Sequence, residues 1–212
     1  MGILSENLTW LLQYAKPPAT ILELGNQFLY INTKPFPWYD DKYLNPSMAA
    51  HVAAKGFFKD MGFGHVSVDI NGEDGALALD LSKPFTLGGI SPEFDPTPHI
   101  TFDYITDFGT SEHIPSLWQC LENLHRHARV GTQFFHVNPL TGNWPEHGIW
   151  YRDEEFYEAF AKLTGYELLE LKRDFACGNF TDGWNIWARL KKVQDTPFPT
   201  SFNFSALPVK LK

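Results

Sequence analysis

Cysteine is scarce in this 212-residue sequence, which contains only Cys120 and Cys177. Two cysteines without CxxC spacing provide neither a disulfide framework nor a paired-thiol motif. The sequence also lacks a run of about 18 consecutive apolar residues, and its N-terminus has no basic segment followed by an apolar one. We therefore expect a reduced, cytoplasmic protein that does not enter a membrane, with Cys120 buried on the apolar face of a helix.

Basic residues are also few, with 17 lysines and arginines against 25 aspartates and glutamates and a net charge of -8. Nucleic acids and anionic membranes are bound by basic faces, so neither is an expected partner. No repeat or low-complexity tract occurs, and the length suits one domain. We predict a single domain over residues 1–193, with an N-terminal helix within 1–16, a core over 20–190 and a surface tail over 194–212. The sequence gives no indication of the oligomeric state.

Hydrophobic periodicity alternates between strand and helix along the chain. Helical spacing covers residues 3–14, 47–61, 115–128 and 153–165, and strand patterns cover 20–25, 65–70, 76–81, 101–106, 130–137, 166–172 and 183–190. The last two strands are joined by about ten polar residues, which favours an antiparallel pair. This order predicts an α/β fold with a doubly wound, mostly parallel seven-stranded sheet, helices on both faces and an antiparallel edge hairpin. Residues 32–46 and 83–99 are predicted to be irregular.

Acidic residues and glycines recur where the predicted strands end. They are Glu23 and Gly25, then Asp69, Asp80, and finally Asp107 with Gly109. Ligands of open α/β sheets bind at the carboxyl ends of the strands, and an acid after the second strand is placed to accept bonds from ribose hydroxyls. Asp80, one strand further along, is placed to accept from the exocyclic amine of a purine. Taken singly, each acid could equally be a helix cap or a turn former.

Three histidines near this predicted rim are candidates for acid–base chemistry: His113, His147 and His136. Imidazole titrates near neutral pH and can take a proton from an acceptor. No HxxxH or HxH spacing links the histidines of the rim on one helix or strand, so no metal site is predicted, and zinc would require tertiary assembly. Each histidine alone could equally be a hydrogen-bonded structural residue.

Four segments carry a resemblance to a known family: ILELGNQ (21–27), VSVDIN (66–71), ALALDL (76–81) and FDYITDFGTSEHI (102–114). In these the chain resembles the class I S-adenosylmethionine-dependent methyltransferases over residues 20–190. The resemblance implies S-adenosyl-L-methionine as cofactor. The cofactor-binding positions that it implies are Glu23, Gly25, Asn26, Gln27, Asp69, Ile70, Asp80, Leu81, Asp107 and Phe108. The family motif usually continues Gly-x-Gly, whereas Gln27 stands at the second glycine; Gln27 either contacts the methionine end or marks a loss of cofactor binding.

The resemblance implies a methyltransferase. We expect its acceptor to be a small molecule or a sugar-like glycan that is methylated at oxygen, with His113 or His147 as the base and His136 behind them. Signatures of nucleic-acid base methylation, Asn/Asp-Pro-Pro-Tyr/Phe and a Pro-Cys nucleophile, are missing. Aromatic side chains could cover a flat acceptor; they are Trp38, Tyr39, Trp144, Trp150 and Tyr151. The alternative is a non-catalytic domain of the same fold that acts through protein contacts. A nicotinamide dehydrogenase is disfavoured, because residues 25–30 lack the second glycine and an immediate amphipathic helix.

Overall fold

The computed structural model describes residues 2–30, 52–88, 100–177 and 182–211. In chain order these residues form β1 (Gly2–Leu4), α1 (Ser5–Tyr14), β2 (Thr20–Leu24), β3 (Phe28–Tyr30), β4 (Val52–Ala53), α2 (Ala54–Asp60), β5 (Gly64–Asp69), β6 (Leu77–Ala78), β7 (Phe102–Phe108), α3 (Leu117–Arg126), β8 (Ala128–Pro139), β9 (Trp150–Tyr151), α4 (Glu154–Thr164), β10 (Glu167–Cys177), β11 (Asp182–Lys191), α5 (Ser201–Phe204) and β12 (Lys210–Leu211). No helix among them is long and apolar enough to span a membrane.

The main sheet has seven strands in the order β10-β11-β8-β7-β2-β5-β6. β2 pairs in parallel with both β5 and β7, and β7 pairs in parallel with β8. β11 runs antiparallel to both β8 and β10. The predicted mostly parallel sheet with an antiparallel edge hairpin is confirmed. Because the chain leaves β2 for β5 on one side and returns to β7 on the other, the carboxyl ends of β2 and β7 form a topological switch point, where ligands of such sheets bind.

Hydrophobic side chains cover both faces of this sheet. Successive residues of a strand point to opposite faces, and Phe134 and Phe135 of β8 accordingly belong to two different core clusters. The Phe134 cluster contains the apolar sides of α3 and α4, whereas the Phe135 cluster contains those of α1 and α2. Each fully buried Leu or Phe stabilises the fold by about 1.5–3 kcal/mol. Cys120 is fully buried in the first cluster, as predicted.

Helix α4 begins and ends where its capping residues predict. The side chain of Asp153 accepts a hydrogen bond from the Phe156 amide at 3.2 Å, satisfying a free N–H of the first turn. Gly165 follows the last turn with a φ of 71°, a left-handed conformation that glycine adopts without steric cost. The helix places its buried aromatic side against the sheet and its first turn beside Arg152.

The predicted helix over residues 47–61 is wrong at Val52 and Ala53. Val52 and Ala53 form strand β4 on the antiparallel edge of β3, and the helix starts only at Ala54. The edge of β3 forms backbone hydrogen bonds with these residues, and hydrophobic periodicity gives no information about such a partner. The described residues do not include 47–51, 89–99 or the predicted irregular segment 32–46, which contains Trp38 and Tyr39.

The tail over residues 194–212 does not simply lie along the surface as expected. Phe204 and Leu207 are buried in the cluster that holds Phe160. β12 pairs antiparallel with β9, which adds a two-stranded sheet next to the loop before α4. The tail carries enough apolar side chains to be drawn into the core, although it has no regular period.

Candidate active site at the carboxyl ends of the parallel strands

The loop after β2 turns on Gly25. Its φ is 76° and its N–H donates to Val68 O at 2.8 Å, which ties the loop to β5. A Cβ atom on this residue would lie 2.6 Å from Thr110 Oγ1 and 2.7 Å from Gln27 Nε2. Glycine is therefore required here by backbone conformation and by space. The same contacts bring the loop after β2 against the segment that follows β7.

Asp69, at the end of β5, closes that loop from the other side. Its carboxylate accepts from the amides of Asn26 at 2.8 Å and Asn71 at 3.0 Å. A carboxylate has about four acceptor positions, so two remain for the hydroxyls of a ligand. The next residue, Ile70, is 75% exposed, which presents an apolar surface beside the carboxylate.

Gln27 is buried with an unusual imbalance in its hydrogen bonds. Its Nε2 donates to Leu24 O at 3.1 Å and to Thr110 Oγ1 at 2.9 Å. Its Oε1 is buried and has no donor among the described residues. A buried amide oxygen without a partner is costly, so this atom is a natural acceptor for a bound ligand. Asn26 instead donates from Nδ2 to the Asp74 carboxylate at 2.9 Å, and the side chains of Asn26 and Gln27 are both buried.

Glu23 lies inside the protein rather than on the rim. Its carboxylate accepts from Gln27 N at 3.1 Å and lies 3.3 Å from His65 Nε2. Burial raises the pKa of Glu23, with the hydrogen bond and charge of His65 opposing the rise. The structure therefore places Glu23 under the glycine loop, where it supports the loop's backbone.

Asp80 and Leu81 follow β6 in a tight turn. The Asp80 carboxylate accepts from the Ser82 hydroxyl at 2.6 Å and amide at 2.9 Å, and lies 3.3 Å from Lys83 Nζ. The Ser82 bonds lower the pKa of Asp80. The Leu81 side chain is buried in the core, so only its backbone is free to face a ligand.

The end of β7 carries a buried carboxylate, Asp107, in a dense polar network. It accepts from the Ser111 amide at 2.9 Å and the Ser111 hydroxyl, and lies 3.1 Å from His136 Nδ1 and 3.5 Å from Arg152 Nη1. Burial alone would raise the pKa of Asp107, but the hydrogen bond and charge of His136, together with the charge of Arg152, hold it well below its usual range. Asp107 is thus an ionised anchor; the neighbouring Phe108 is buried in the core.

Arg152, just before α4, is fully buried beneath this network. Its Nη2 donates to Ser111 Oγ at 2.7 Å, and its Nη1 donates to Asn138 Oδ1. The Tyr157 hydroxyl also donates to Asn138 Oδ1, at 2.6 Å. The guanidinium therefore joins the end of β8, the turn after β7 and the start of α4 into one unit.

Glu112 lies on the 3-10 turn Ser111–His113 and is almost fully buried. Burial and the charge of Asp107 raise the pKa of Glu112 to about 8. Its Oε2 accepts from Asn138 Nδ2 at 3.2 Å, and its Oε1 has no hydrogen-bond donor among the described residues. His113 Nε2 and His147 Nε2 lie 3.7 and 3.8 Å from this oxygen.

The three candidate histidines divide into two groups. The side chains of His113 and His147 are 33% and 41% exposed, and their ring centroids are 5.0 Å apart. Burial and the neighbouring charge of His147 lower the pKa of His113, and burial lowers that of His147. His136 is instead buried against Asp107 and cannot reach the rim surface in this conformation. The structure therefore brings two of the three to one accessible place.

The predicted aromatic cover is used for packing by its three described members. Trp150 Nε1 donates to Ile114 O at 2.7 Å, and Trp144 Nε1 donates to Trp184 O at 3.0 Å. The Tyr151 hydroxyl donates to Trp144 O at 2.8 Å and accepts from the amides of His147 and Gly148. These side chains shape the loop that presents His147.

Sequence reasoning missed Arg152, Asn138, Tyr157 and the unpartnered oxygen of Glu112. Asn138 follows a predicted strand directly, and an amide at a strand end was a usable signal. Arg152 had none, because a single arginine before a helix is usually a solvated residue. Only the fold shows that it is buried.

Comparisons with known proteins establish the fold. A chain of similar fold is 1,6-didemethyltoxoflavin-N1-methyltransferase of Burkholderia thailandensis, with bound 1,6-didemethyltoxoflavin and S-adenosylhomocysteine; the TM-score is 0.53 at 12% identity, over 88% of this chain and 76% of that one. A methyltransferase of Methanosarcina mazei gives 0.53 at 12%, over 92% and 100%. One of Archaeoglobus fulgidus gives 0.55 at 13%, over 88% and 92%. No family model and no curated protein sequence matches the chain. The chain thus has the class I methyltransferase fold that its motifs predict.

Proposed function

We propose that the protein transfers a methyl group from S-adenosylmethionine to a hydroxyl of a small-molecule or sugar-like acceptor. The observation that carries the proposal is the contact, at the switch point, between the loop after β2 and the loop after β7. Gln27, on the loop after β2, donates to Thr110, on the loop after β7, at 2.9 Å. Asp69, the acid proposed to bind the ribose, lies on one side of this contact. Glu112, His113 and His147 lie on the other side.

Four residues of the chain fit the cofactor. Asp69 has acceptor capacity left for the ribose hydroxyls, and Ile70 offers exposed apolar surface to the purine. The buried and unpartnered Gln27 Oε1 would accept from the amine of the methionine end. Asp80 would accept a hydrogen bond from the exocyclic amine of the purine while its carboxylate also accepts from Ser82. When bound, the cofactor supplies an electrophilic methyl group on a sulfonium.

The chain's own work on the acceptor is alignment and proton removal. Displacement at the methyl group requires the acceptor oxygen in line with it, and a base within hydrogen-bond reach assists a hydroxyl acceptor. Among the described residues, His113 and His147 are the accessible imidazoles of the rim, so one of them takes the proton in this proposal. His136 acts through Asp107 as a positioning residue. The acidic chain, with a net charge of -8, disfavours a polyanionic acceptor.

A second candidate function is a non-catalytic domain of this fold. Gln27 favours it, because the side chain fills space beside Gly25 that a second glycine would leave open. The two functions differ in cofactor binding, which the non-catalytic domain does not require.

Turnover of the histidine variants tests the catalytic proposal. With labelled S-adenosylmethionine at saturation and a panel of hydroxylated small molecules, one of His113→Ala and His147→Ala should lose about a hundredfold or more in rate while keeping cofactor affinity. Glu146→Gln, beside His147 in the same loop, is the matched control and should turn over normally. Full activity in both histidine variants would leave alignment as the only contribution of the chain and overturn the base assignment.

A further inference from the structure

The side chains of Glu112, His113 and His147 form a compact cluster at the rim. Their nearest ligand atoms, one carboxylate oxygen and two imidazole nitrogens, all lie within 4.8 Å of one another. Two of the separations are 3.7 and 3.8 Å, from Glu112 Oε1 to each Nε2. We propose that this cluster binds a divalent transition-metal ion of the zinc type. The donor set of two imidazoles and a carboxylate is one that such ions prefer.

The distances fit such an ion after a small contraction. Tetrahedral Zn²⁺ with bonds of about 2.0–2.1 Å has ligand atoms about 3.3–3.5 Å apart. Both imidazoles are partly exposed, so rotation of their side chains can close the remaining gap without moving the backbone. Three protein ligands would leave a coordination position open, on the side where the histidines face solvent.

The unpartnered oxygen of Glu112 is an independent indication of a ligand. The Glu112 side chain is 1% exposed, and Oε1 has no hydrogen-bond donor among the described residues. Leaving a buried carboxylate oxygen without a partner is costly. The nearby cation Arg152 contacts Asp107, Asn138 and Ser111 instead. An ion between Glu112 and the two histidines would supply the missing partner.

The carboxylate is held in place by the residues behind it. Asn138 Nδ2 donates to Glu112 Oε2 at 3.2 Å, and Asn138 Oδ1 is itself fixed by Tyr157 and Arg152. This leaves Oε1 directed toward the histidines. Support of this kind behind a ligand is typical of metal sites, where it orients the coordinating group.

The loop that carries His147 is fastened over Glu112. Ile149 N donates to Glu112 O at 2.8 Å, and a Cβ at Gly148 would lie 3.0 Å from Glu112 Cγ. Trp144 and Glu146 adopt φ values of 52° and 64°, which residues other than glycine seldom adopt. The backbone is thus bent in an uncommon way that places His147 beside residues 112 and 113.

The ion changes the role of the histidines in the proposed reaction. With both imidazoles coordinated, the open position would hold an acceptor oxygen, and the histidine base proposed above applies to the ion-free protein. Metal binding does not rest on methyl transfer, however, since it is measured directly on the protein without either substrate.

The test uses the tag-free protein, from which metal has been removed with a chelator. The protein is titrated with Zn²⁺ against a competing chelator. It is also titrated with Co²⁺, and binding is measured from the visible spectrum of the ion. We expect one ion per chain. Loss of a ligand in His113→Ala or His147→Ala should weaken binding by on the order of a hundredfold, whereas Glu146→Gln should match the parent protein. Both histidines are partly exposed, so these variants should fold. Glu112→Gln tests the third ligand in the same way.

Two results would overturn the proposal. One is no binding at micromolar Zn²⁺. The other is binding that both histidine variants retain, which would mean an adventitious ion only. Either outcome is distinguishable from failure of the proposed function, because methyl transfer is assayed separately.

Discussion

The two halves of the rim are built in different ways. At the ends of β2 and β5 the acid Asp69 is partly exposed and is held by backbone amides of neighbouring loops. At the ends of β7 and β8 the acids Asp107 and Glu112 are buried and depend on side chains from two distant segments, β8 and the residue before Asp153. The first half is local and has capacity left for a ligand. The second half is a buried polar network built around the ion pair of Asp107 and Arg152, and its two histidines, His113 and His147, reach the surface.

Removing Arg152 is the strongest way to break the second half. Arg152→Met leaves the buried Asp107 carboxylate without its arginine partner, and losing one partner of a buried pair costs about 3–5 kcal/mol. We expect a corresponding loss in the free energy of unfolding, measured by urea denaturation. Arg173→Met, which removes an exposed partner of Glu154, is the control and should change stability little. Equal, small losses in both variants would show that the network is not essential to the fold.

His125 is a buried histidine at the opposite end of the sheet, away from both halves of the rim, and serves as a reference for them. His125 Nδ1 lies 2.5 Å from the Tyr166 hydroxyl and Nε2 lies 2.8 Å from Thr196 O, and burial lowers the pKa of His125 to about 4. The charged groups around it are Lys192, Asp195 and Arg126. Above pH 6.5 His125 is neutral in both states. As the pH falls from 6.5 to 4 the unfolded chain gains a proton that the folded chain does not, so stability should fall by on the order of 2 kcal/mol.

Denaturation curves of the parent protein and of His125→Gln across pH 4 to 7 measure this effect. The variant should lose less stability than the parent over that interval. Parallel curves would mean that His125 takes up its proton in the folded state as readily as in the unfolded chain.

Asp69→Ala tests the first half. Loss of a polar partner to the cofactor should weaken S-adenosylhomocysteine binding by about 1–3 kcal/mol, a factor of roughly 5–150. The fold should remain, which circular dichroism checks. Asp69→Asn keeps one acceptor oxygen and should lie between the two. Normal binding by the alanine variant would make Asp69 a turn residue only.

Gln27 joins the two halves, and its replacement should have the smallest effect. Gln27→Met keeps the volume but loses the bonds to Leu24 O and Thr110, each worth about 0.5–1.5 kcal/mol. The melting temperature should drop by a few degrees, as the size of the chain implies. A higher melting temperature would mean that the unpartnered Oε1 costs more than the amide contributes.

The two halves also differ in how far they follow from sequence. The sheet, the caps of α4 and the strand-end position of Asp69 follow from periodicity and turn chemistry, because these depend on neighbouring residues. The association of Glu112 with His147, and the burial of Arg152, depend on a loop that brings His147 back to Glu112 from 35 positions further along the chain. The absence of a local histidine spacing gave no sign of this cluster. The strand at Val52 was likewise missed because its partner is an edge strand rather than a sequence neighbour.

Isothermal titration calorimetry with S-adenosylmethionine and S-adenosylhomocysteine measures whether the chain binds the cofactor. We expect saturable binding of both ligands at one site per chain, together with an upward shift of the melting temperature, since a ligand that binds only the folded state stabilises it. No detectable heat and no thermal shift at millimolar ligand would contradict this expectation and leave the chain a non-catalytic domain with the class I methyltransferase fold.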